Sequence, residues 1–166
     1  LLGNSGDPTN NHISILKKLK NLDCDYKVIV PLSYGSNNKY IETVKQFGSE
    51  LLGNRFVPLM GFMSSDEYSK LLSTVDVGIM NHYRQQAAGN LRILLSQGKK
   101  VYLNEINPLY YYYTANGIFL SKIDDCNFNS SIFEEYSEEV KELNKKAIEE
   151  LYSQDKIYDC MKELFA

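Results

Sequence analysis

The chain has 166 residues, a formal net charge of -3 at pH 7 and a sequence pI near 5.4. Its 18 basic residues are scattered among 21 acidic ones, so it lacks the basic stripe that nucleic acid binding requires. A mean hydropathy of -0.34, without an apolar run of ~18 residues, argues against a spanning helix and favours a soluble domain.

The three cysteines, Cys24, Cys126 and Cys160, are widely spaced. Their odd number and the lack of a CxxC pair disfavour a disulfide framework and a zinc site, so we expect structural cysteines, a reducing cytosol and no bound metal. The chain starts without Met, on what looks like the tail of a strand. We therefore expect it to be a piece of a longer protein.

The periodicity of apolar residues predicts strands that alternate with helices. After a first strand ending near Leu2, predicted strands lie at residues 26–30, 56–59, 76–80, 100–103 and 118–120. Predicted helices follow Thr9 and then span about 40–48, 64–75, 87–97, 138–152 and 156–164. Residues 104–113 show no clear period. The pattern predicts an α/β fold.

Local signals mark several helix boundaries and faces. Ser64 and Glu67 have the spacing of a capping box, and Gly48 and Gly98 are expected to end the helices that precede them. The apolar positions expected to face the core in the helix 138–152 are Val140, Leu143, Ala147 and Leu151.

Strand–helix alternation predicts right-handed βαβ crossovers and a Rossmann-like, doubly wound parallel sheet. In such sheets ligands bind outside the carboxyl ends of the strands. The loops at those ends start near Gly3, Pro31, Gly61, Asn81 and Asn104. All of them are polar or rich in turn residues, which favours a ligand-binding crevice.

The first candidate segment is Gly3-Asn4-Ser5-Gly6-Asp7, between an apolar stub and a helix. Glycine is expected to leave bare backbone N–H groups at the positive helix end, where a phosphate binds, with Asp7 or Thr9 as the helix cap. An ordinary strand-to-helix turn has the same composition, and the segment is neither a GxGxxG nor a Walker loop. Both interpretations stay open.

The second candidate segment covers residues 82–90, between a buried strand and a helix. Arg84 can pair with a phosphate through its forked guanidinium, or with a surface carboxylate. Gln85 and Gln86 can bond a sugar or base, and Gly89-Asn90 would let a ligand approach the helix N-terminus. His82 is a weak candidate for a general base, since a lone loop histidine is more often a hydrogen-bonding residue.

Two further loops carry candidate ligand contacts. Glu105, between Asn104 and Asn107, can accept from two vicinal hydroxyls of a sugar, although an Asx-Pro turn has the same pattern. Pro31 ends a strand, and Tyr34, in the loop 34–38, can stack on a base or belong to a helix N-cap loop.

These segments, taken in order from residue 1 to about residue 120, resemble the C-terminal half of glycosyltransferase family 56. The known members are N-acetylfucosamine (4-acetamido-4,6-dideoxy-D-galactose) transferases of enterobacterial common antigen synthesis, often labelled 4-alpha-L-fucosyltransferases. The segments that carry the resemblance are residues 3–7, 28–34, 37–38, 40–41, 84–86 and 104–108.

The resemblance implies a GT-B enzyme with two Rossmann-like domains, of which this chain is the donor-binding C-terminal one. The donor would be a dTDP-linked sugar and the acceptor a polyprenyl-diphosphate-linked saccharide, reached through the missing N-terminal domain. The enzyme would need no cofactor and no bound divalent ion, and would lie peripherally at the cytoplasmic face of the inner membrane.

The same resemblance assigns roles to the candidate residues. Residues 3–7 would face the donor diphosphate, while residues 84–86, Glu105 and Asn107 would hold sugar and ribose. GT-B proteins often carry a ribose-binding glutamate in the helix after the glycine turn; residues 91–94 contain none, so Glu105 is the substitute. The general base is expected in the missing domain.

Two alternatives remain beside the transferase. One is a non-catalytic nucleotide- or phosphate-binding module whose polar loops serve recognition only. The other is a GT-B nucleotide-sugar epimerase, which needs several acid and base groups in its cleft. The loops offer only Asp7, His82 and Glu105 for that chemistry.

Overall fold

The computed structural model describes residues 1–35 and 37–164, without the side chains at 159, 160, 163 and 164, so Ser36 of the loop 34–38 lies outside the described residues. Within these ranges strands and helices alternate. The strands are β1 (Val28–Pro31), β2 (Phe56–Leu59), β3 (Val77–Met80), β4 (Lys100–Leu103) and β5 (Ser121–Lys122). The α-helices are α1 (His12–Leu19), α2 (Asn38–Leu52), α3 (Ser65–Ser73), α4 (Ala88–Ser96), α5 (Pro108–Ala115), α6 (Glu138–Leu151) and α7 (Gln154–Leu164).

The pairings between these strands are parallel: β1 pairs with β2, β3 with β4, and β4 with β5. Residues 1–3 lie between β1 and β3 and join the two groups. The Leu2 amide donates to Ile29 O at 2.9 Å, and the Gly3 amide donates to Ile79 O at 3.0 Å. With residues 1–3 counted as the first strand, the order across the sheet is third, second, first, fourth, fifth, sixth. This is the order of a Rossmann fold.

A hydrophobic core covers each face of the sheet. One core packs α1 and α2 against β1, with Leu16 and Val44 fully buried. The other packs α3, α4 and α6 against β3 and β4, with Leu94 fully buried. All four residues of β3 are buried, as expected for a central parallel strand with helices on both sides. The prediction of a doubly wound α/β fold is confirmed.

Several predicted boundaries are confirmed. β2 and β4 lie where the sequence predicts them, and α3 starts with the predicted capping box of Ser64 and Glu67. The prediction that α2 ends at Gly48 is wrong, because the helix continues to Leu52. Gly48 lies against the ring of Phe56, where a Cβ would come within 2.4 Å of a ring carbon.

Three other predictions need correction. Residues 108–115 form α5 rather than an irregular stretch. β5 is Ser121–Lys122 and not 118–120, because the backbone of Phe119 bonds the side chain of Asn144 at 2.7 and 2.9 Å. The buried positions of α6 are Asn144, Ile148 and Leu151, whereas Leu143 is 55% exposed. The buried face of α6 is therefore shifted by one residue from the prediction: Asn144 takes the place of Leu143, and Ile148 takes the place of Ala147.

None of the helices in the described part of the chain is both long and apolar enough to cross a membrane.

Candidate functional site

A polar crevice lies at the carboxyl ends of the central strands. It has a volume of about 590 Å³. The chain leaves residues 1–3 toward α1 on one face of the sheet and leaves β3 toward α4 on the other face. The crevice therefore lies at the topological switch point of the sheet, where ligands bind in open α/β folds. Its lining residues are Asn4, Ser5, Asp7, Ser33, Tyr34, Gly35, Arg84 and Gln86.

The loop that follows residues 1–3 is shaped by the fully buried side chain of Asn10. Its Oδ1 accepts from the Asn4 amide at 3.0 Å, and its Nδ2 donates to Ser5 O and to Asp7 O, both at 3.1 Å. The side-chain amide of Asn10 thus bonds three backbone groups of the loop. Asn10 is not predicted from the sequence, because one more asparagine in a polar turn carries no distinctive signal.

The expectation of bare amides in this loop is wrong for three of its residues. Gly3, Asn4 and Gly6 each donate within the protein, and the Gly6 amide bonds Tyr34 O at 2.6 Å. The glycines serve close packing instead. Gly3 has φ +67°, and a Cβ there would lie 2.5 Å from His12 Nε2.

The start of the first helix also differs from the prediction. A 3₁₀ turn, Pro8–Asn10, comes before α1, and the Asp7 carboxylate caps this turn by accepting from the Thr9 amide at 2.9 Å. α1 itself begins only at His12 and has no side-chain cap. The loop 3–7 therefore does not lie directly on the N-terminus of α1.

A ring of polar contacts crosses the crevice. Asp7 Oδ2 lies 3.6 Å from Arg84 Nη2, and Arg84 Nε donates to Thr9 Oγ1 at 3.3 Å. Gln86 Nε2 donates to Asn4 Oδ1 at 3.2 Å, and its Oε1 lies 2.9 Å from Thr9 Oγ1. Hydrogen bonds from the Thr9 hydroxyl and amide, and the charge of Arg84, keep the pKa of Asp7 below its usual value. The crevice thus holds an ionised carboxylate beside a guanidinium.

Arg84 is the cation of this crevice best placed to meet a ligand. Its side chain is 60% exposed, and its contacts with Asp7 and Thr9 leave part of its five N–H donors for an anion. Gln85 is exposed next to it and lies outside the crevice lining. Of the predicted residues 84–86, the structure brings Arg84 and Gln86 together with the loop 3–7.

His82 lies beneath the crevice rather than in it. It is fully buried, and its Nε2 bonds Gln86 O at 2.9 Å. Burial, assisted by the charge of Arg84, lowers the pKa of His82 to about 4. His12 is also fully buried, and burial, with a contribution from His82, lowers its pKa to about 4 as well. This geometry gives His82 a structural role and gives no support to a general base.

Asn107 holds the crevice loop from behind. Its side chain is fully buried, with Nδ2 donating to His82 O at 3.2 Å and to Arg84 O at 2.9 Å. Its Oδ1 accepts from the Leu109 amide at 2.9 Å and caps α5. All hydrogen-bonding groups of the amide are engaged within the protein, so Asn107 positions the backbone of residues 82–84.

Asn104 and Glu105 also have partners within the protein. The buried Asn104 donates to Asn81 Oδ1 at 3.0 Å and accepts from the Ile106 amide at 3.0 Å. Glu105 Oε2 lies 2.9 Å from Lys122 Nζ at the end of β5. Neither residue lines the polar crevice. The structure therefore places Asn104 and Glu105 outside the lining that contains Arg84, while Asn107 contacts only the backbone of that loop.

α4 begins directly beyond Gln86. Ala87 precedes it with φ +62°, a left-handed conformation that strains a residue with a Cβ, and no side chain caps the helix. Asn90 donates to the hydroxyl of Tyr68 on α3 at 2.9 Å, and Gly89 is exposed. The first turn of α4, which begins four residues after Arg84, therefore has backbone N–H groups without a side-chain cap.

A second cavity of about 160 Å³, the aromatic pocket, adjoins the polar crevice. Tyr34 and Phe62 stand at its rim, 78% and 92% exposed. Asn4, Pro31 and Tyr34 of this set are predicted from the sequence. Phe62 and Met63 are not, since two apolar residues in a loop have no periodicity. The pocket is lined by Asn4, Pro31, Ser33, Tyr34, Leu59, Phe62, Met63 and Tyr68.

The sequence matches one family model, described as 4-alpha-L-fucosyltransferase glycosyl transferase group 56, over residues 1–159. The match includes all the loops that line the polar crevice and the aromatic pocket. It also extends the resemblance beyond residue 120, through α6 and into α7.

Proposed function

The chain belongs to this family of glycosyltransferases, and we propose that it forms the domain that binds the nucleotide-sugar donor. The observation that carries the proposal is the polar crevice, with the exposed guanidinium of Arg84 at the switch point of a Rossmann-like sheet. A volume of about 590 Å³ is in the range of small-molecule sites. The crevice combines a cation with neutral hydrogen-bonding groups, which suits a phosphorylated, hydroxylated ligand.

The donor diphosphate binds between Arg84 and the first turn of α4 in this proposal. A forked guanidinium and the N–H groups of an uncapped helix start are both good partners for phosphate oxygens. Asn4, Gln86 and Ser33 then offer hydrogen bonds to the hydroxyl groups of the sugar. Loop 3–7 supports this arrangement through its contacts with Gln86 and Arg84 instead of through bare amides.

Catalysis by this domain consists of stabilising the leaving group. When the bond between the sugar and the diphosphate breaks, negative charge develops on the nucleoside diphosphate. Preorganised donors aimed at developing charge are among the largest contributions to enzymatic rate. Asp7 keeps the Arg84 side chain over the crevice before the donor arrives, and the diphosphate then competes with Asp7 for the guanidinium.

The finer identity of the reaction follows from the family resemblance. We propose a dTDP-linked sugar of the N-acetylfucosamine type as donor and a polyprenyl-diphosphate-linked saccharide as acceptor, in the synthesis of a surface polysaccharide such as enterobacterial common antigen. A GT-B partner domain would supply the acceptor site and the general base. The full enzyme would lie at the cytoplasmic face of the inner membrane.

Calorimetric titration of the chain with dTDP and UDP tests the donor role. Arg84→Ala is expected to weaken diphosphate binding at least about tenfold, because a hydrogen bond to a charged group contributes about 1.5–3 kcal/mol. Arg92→Ala is the matched control, since Arg92 is exposed on α4 and packs over the Tyr152 ring instead of the crevice. Equal affinity in wild type and Arg84→Ala would contradict the proposal.

Titration with dTMP and inorganic phosphate separates a transferase from a simple phosphate-binding module. A donor site is expected to prefer the intact diphosphate, whereas a phosphate module would bind all three ligands alike. We also expect no glycosyl transfer by the 166-residue chain alone. Measurable transfer would show that the general base lies within it.

A further inference from the structure

We propose that the aromatic pocket receives the nucleobase of the donor, stacked against Tyr34 and Phe62. The inference rests on the proposed donor role and adds the place of the base to it. It puts the base on the β1 and β2 side of the switch point, away from Glu105.

The two aromatic side chains stand on the loops that follow neighbouring strands. β1 and β2 pair in parallel with Pro31 opposite Leu59, so Tyr34 and Phe62 extend from the same edge of the sheet. They are 78% and 92% exposed, although large apolar side chains normally lose water contact on folding. Two exposed rings beside a pocket mark a surface that gains from covering by a ligand.

The lining of the pocket favours a planar ring over a sugar. Pro31, Leu59 and Met63 contribute apolar surface, and few polar groups stand among them. A sugar carries hydroxyl groups around its ring and would leave several of them without partners here. A nucleobase has two apolar faces and polar groups only at its edge, which matches apolar walls with few polar atoms.

One polar group of the pocket suits the edge of such a base. The Tyr68 hydroxyl accepts from Asn90 Nδ2 at 2.9 Å, so its own proton remains for donation to a ligand. A pyrimidine carbonyl is an acceptor for that proton. A tyrosine hydroxyl is protonated at neutral pH, and burial raises the pKa of Tyr68 further from that range.

The pocket and the crevice form one continuous surface, since Asn4, Ser33 and Tyr34 line both. A ligand with a phosphate end and a planar end can therefore occupy the two cavities together. The charged end lies with Arg84 and the planar end with Phe62. A nucleoside diphosphate has these two ends.

The test compares dTDP with inorganic pyrophosphate, which has the charged end alone. Both are titrated calorimetrically into the wild-type chain and into Tyr34→Ala, Phe62→Ala and Arg84→Ala. We expect Tyr34→Ala and Phe62→Ala each to weaken dTDP about tenfold, the usual order for loss of a stacked base, and to leave pyrophosphate unchanged. Arg84→Ala should weaken both ligands.

Tyr158→Ala is the control for removing an exposed tyrosine, since Tyr158 is 60% exposed on α7. It should change neither affinity. Thermal unfolding of each variant checks that the fold is intact, which the high exposure of Tyr34 and Phe62 predicts.

Two results would overturn the base site while leaving the donor role in place. One is unchanged dTDP affinity in Tyr34→Ala and Phe62→Ala together with a loss in Arg84→Ala. The other is an equal loss of dTDP and pyrophosphate in the aromatic variants, which would mean that these rings only shape the crevice. If neither ligand binds the wild-type chain, the donor role and the base site both fail.

Discussion

The loop after β4 and the loops after β1, β2 and β3 lie at the same edge of the sheet but differ in what their side chains contact. The loop after β4 carries Asn104, Glu105 and Asn107, whose polar groups bond to other parts of the protein. In the loops after β1, β2 and β3, Arg84 and the rings of Tyr34 and Phe62 remain largely exposed. A ligand meets these groups at a smaller cost, because it competes with the partly exposed pair of Arg84 and Asp7 instead of with buried hydrogen bonds.

This difference shows how a polar loop should be judged as a candidate site. A ligand that bonds a buried, satisfied amide has to replace a hydrogen bond that already exists, so its net gain is small. A ligand that meets an exposed ring gains the new contact in full, and a ligand that meets the guanidinium of Arg84 competes only with a partly exposed ion pair, which contributes less than about 1 kcal/mol. The predicted ribose site at Glu105 and Asn107 is of the first kind, and the polar crevice is of the second kind.

The largest expected effect is the pH dependence of stability that arises from the buried histidines. The chain has two histidines, both fully buried, each with a pKa of about 4. Below about pH 6.5 the unfolded chain takes up a proton on each histidine, whereas the folded protein stays neutral there until about pH 4. Stability therefore falls as the pH is lowered from 6.5 toward 4. At pH 5 the loss is about 2 kcal/mol for each histidine.

Urea unfolding at pH 7.5 and pH 5 measures this loss. Asp7 and Glu67 do not add to this loss, since their pKa values are lowered and their contribution is lost only in stronger acid. The N-terminal amine of Leu1 does add to it, because burial lowers its pKa to about 5. His82→Gln should therefore reduce the pH dependence by about 2 kcal/mol, the share of one histidine. An unfolding free energy equal at the two pH values would mean that His12 and His82 can be charged in the folded protein.

The next largest effect tests how Asn107, in the loop after β4, supports the backbone of residues 82–84. Asn107→Ala removes the cap of α5 and leaves the carbonyls of His82 and Arg84 without their donor. We expect a loss of about 3 kcal/mol in the free energy of unfolding, from a lost cap and buried unsatisfied groups. The exposed Asn116, which bonds Tyr112 O, provides the control Asn116→Ala, expected within about 0.5 kcal/mol of wild type. Similar stability of the two variants would contradict the supporting role of Asn107.

A smaller effect is expected for the carboxylate within the crevice. Asp7→Asn keeps an oxygen that accepts from the Thr9 amide but removes the negative charge beside Arg84. The Asp7 carboxylate and the diphosphate are both negative, so removing the carboxylate charge should tighten dTDP binding. The expected gain is about threefold, since an exposed charge pair contributes less than about 1 kcal/mol. Calorimetry measures the change. Weaker binding would contradict this prediction and would mean that the orientation which Asp7 gives to Arg84 contributes more to binding than the charge repulsion costs.

The sequence predicts features that depend on neighbouring residues. The capping box at Ser64 and the strands β2 and β4 come from short local patterns, and the crevice follows from the strand order. The start of α5 had a local signal too, an asparagine cap followed by Pro108, which the tyrosine-rich sequence concealed.

The sequence does not predict which polar groups stay free, because their partners are distant in the chain. Gln86 meets Thr9 across 77 residues, and Asn11 meets Asn81 across 70. The alanine at position 87 gives no hint of its left-handed backbone, which glycine or asparagine would have suggested. Phe62 and Met63 are two apolar residues in a loop, and only the exposure of Phe62 beside a pocket makes it a candidate.

The smallest expected effect decides whether Glu105, in the loop after β4, takes part in donor binding. Glu105→Gln keeps the size of the side chain and removes its ion pair with Lys122, which is partly exposed and contributes about 1 kcal/mol or less to stability. Because Glu105 lies outside the crevice lining, dTDP affinity should change less than about twofold, the range of substitutions away from a site. Lys122→Met removes the same ion pair from the other end and controls for its loss. If Glu105→Gln weakens dTDP strongly while Lys122→Met does not, Glu105 holds the ribose, and the base must lie on the β4 side instead of beside Phe62.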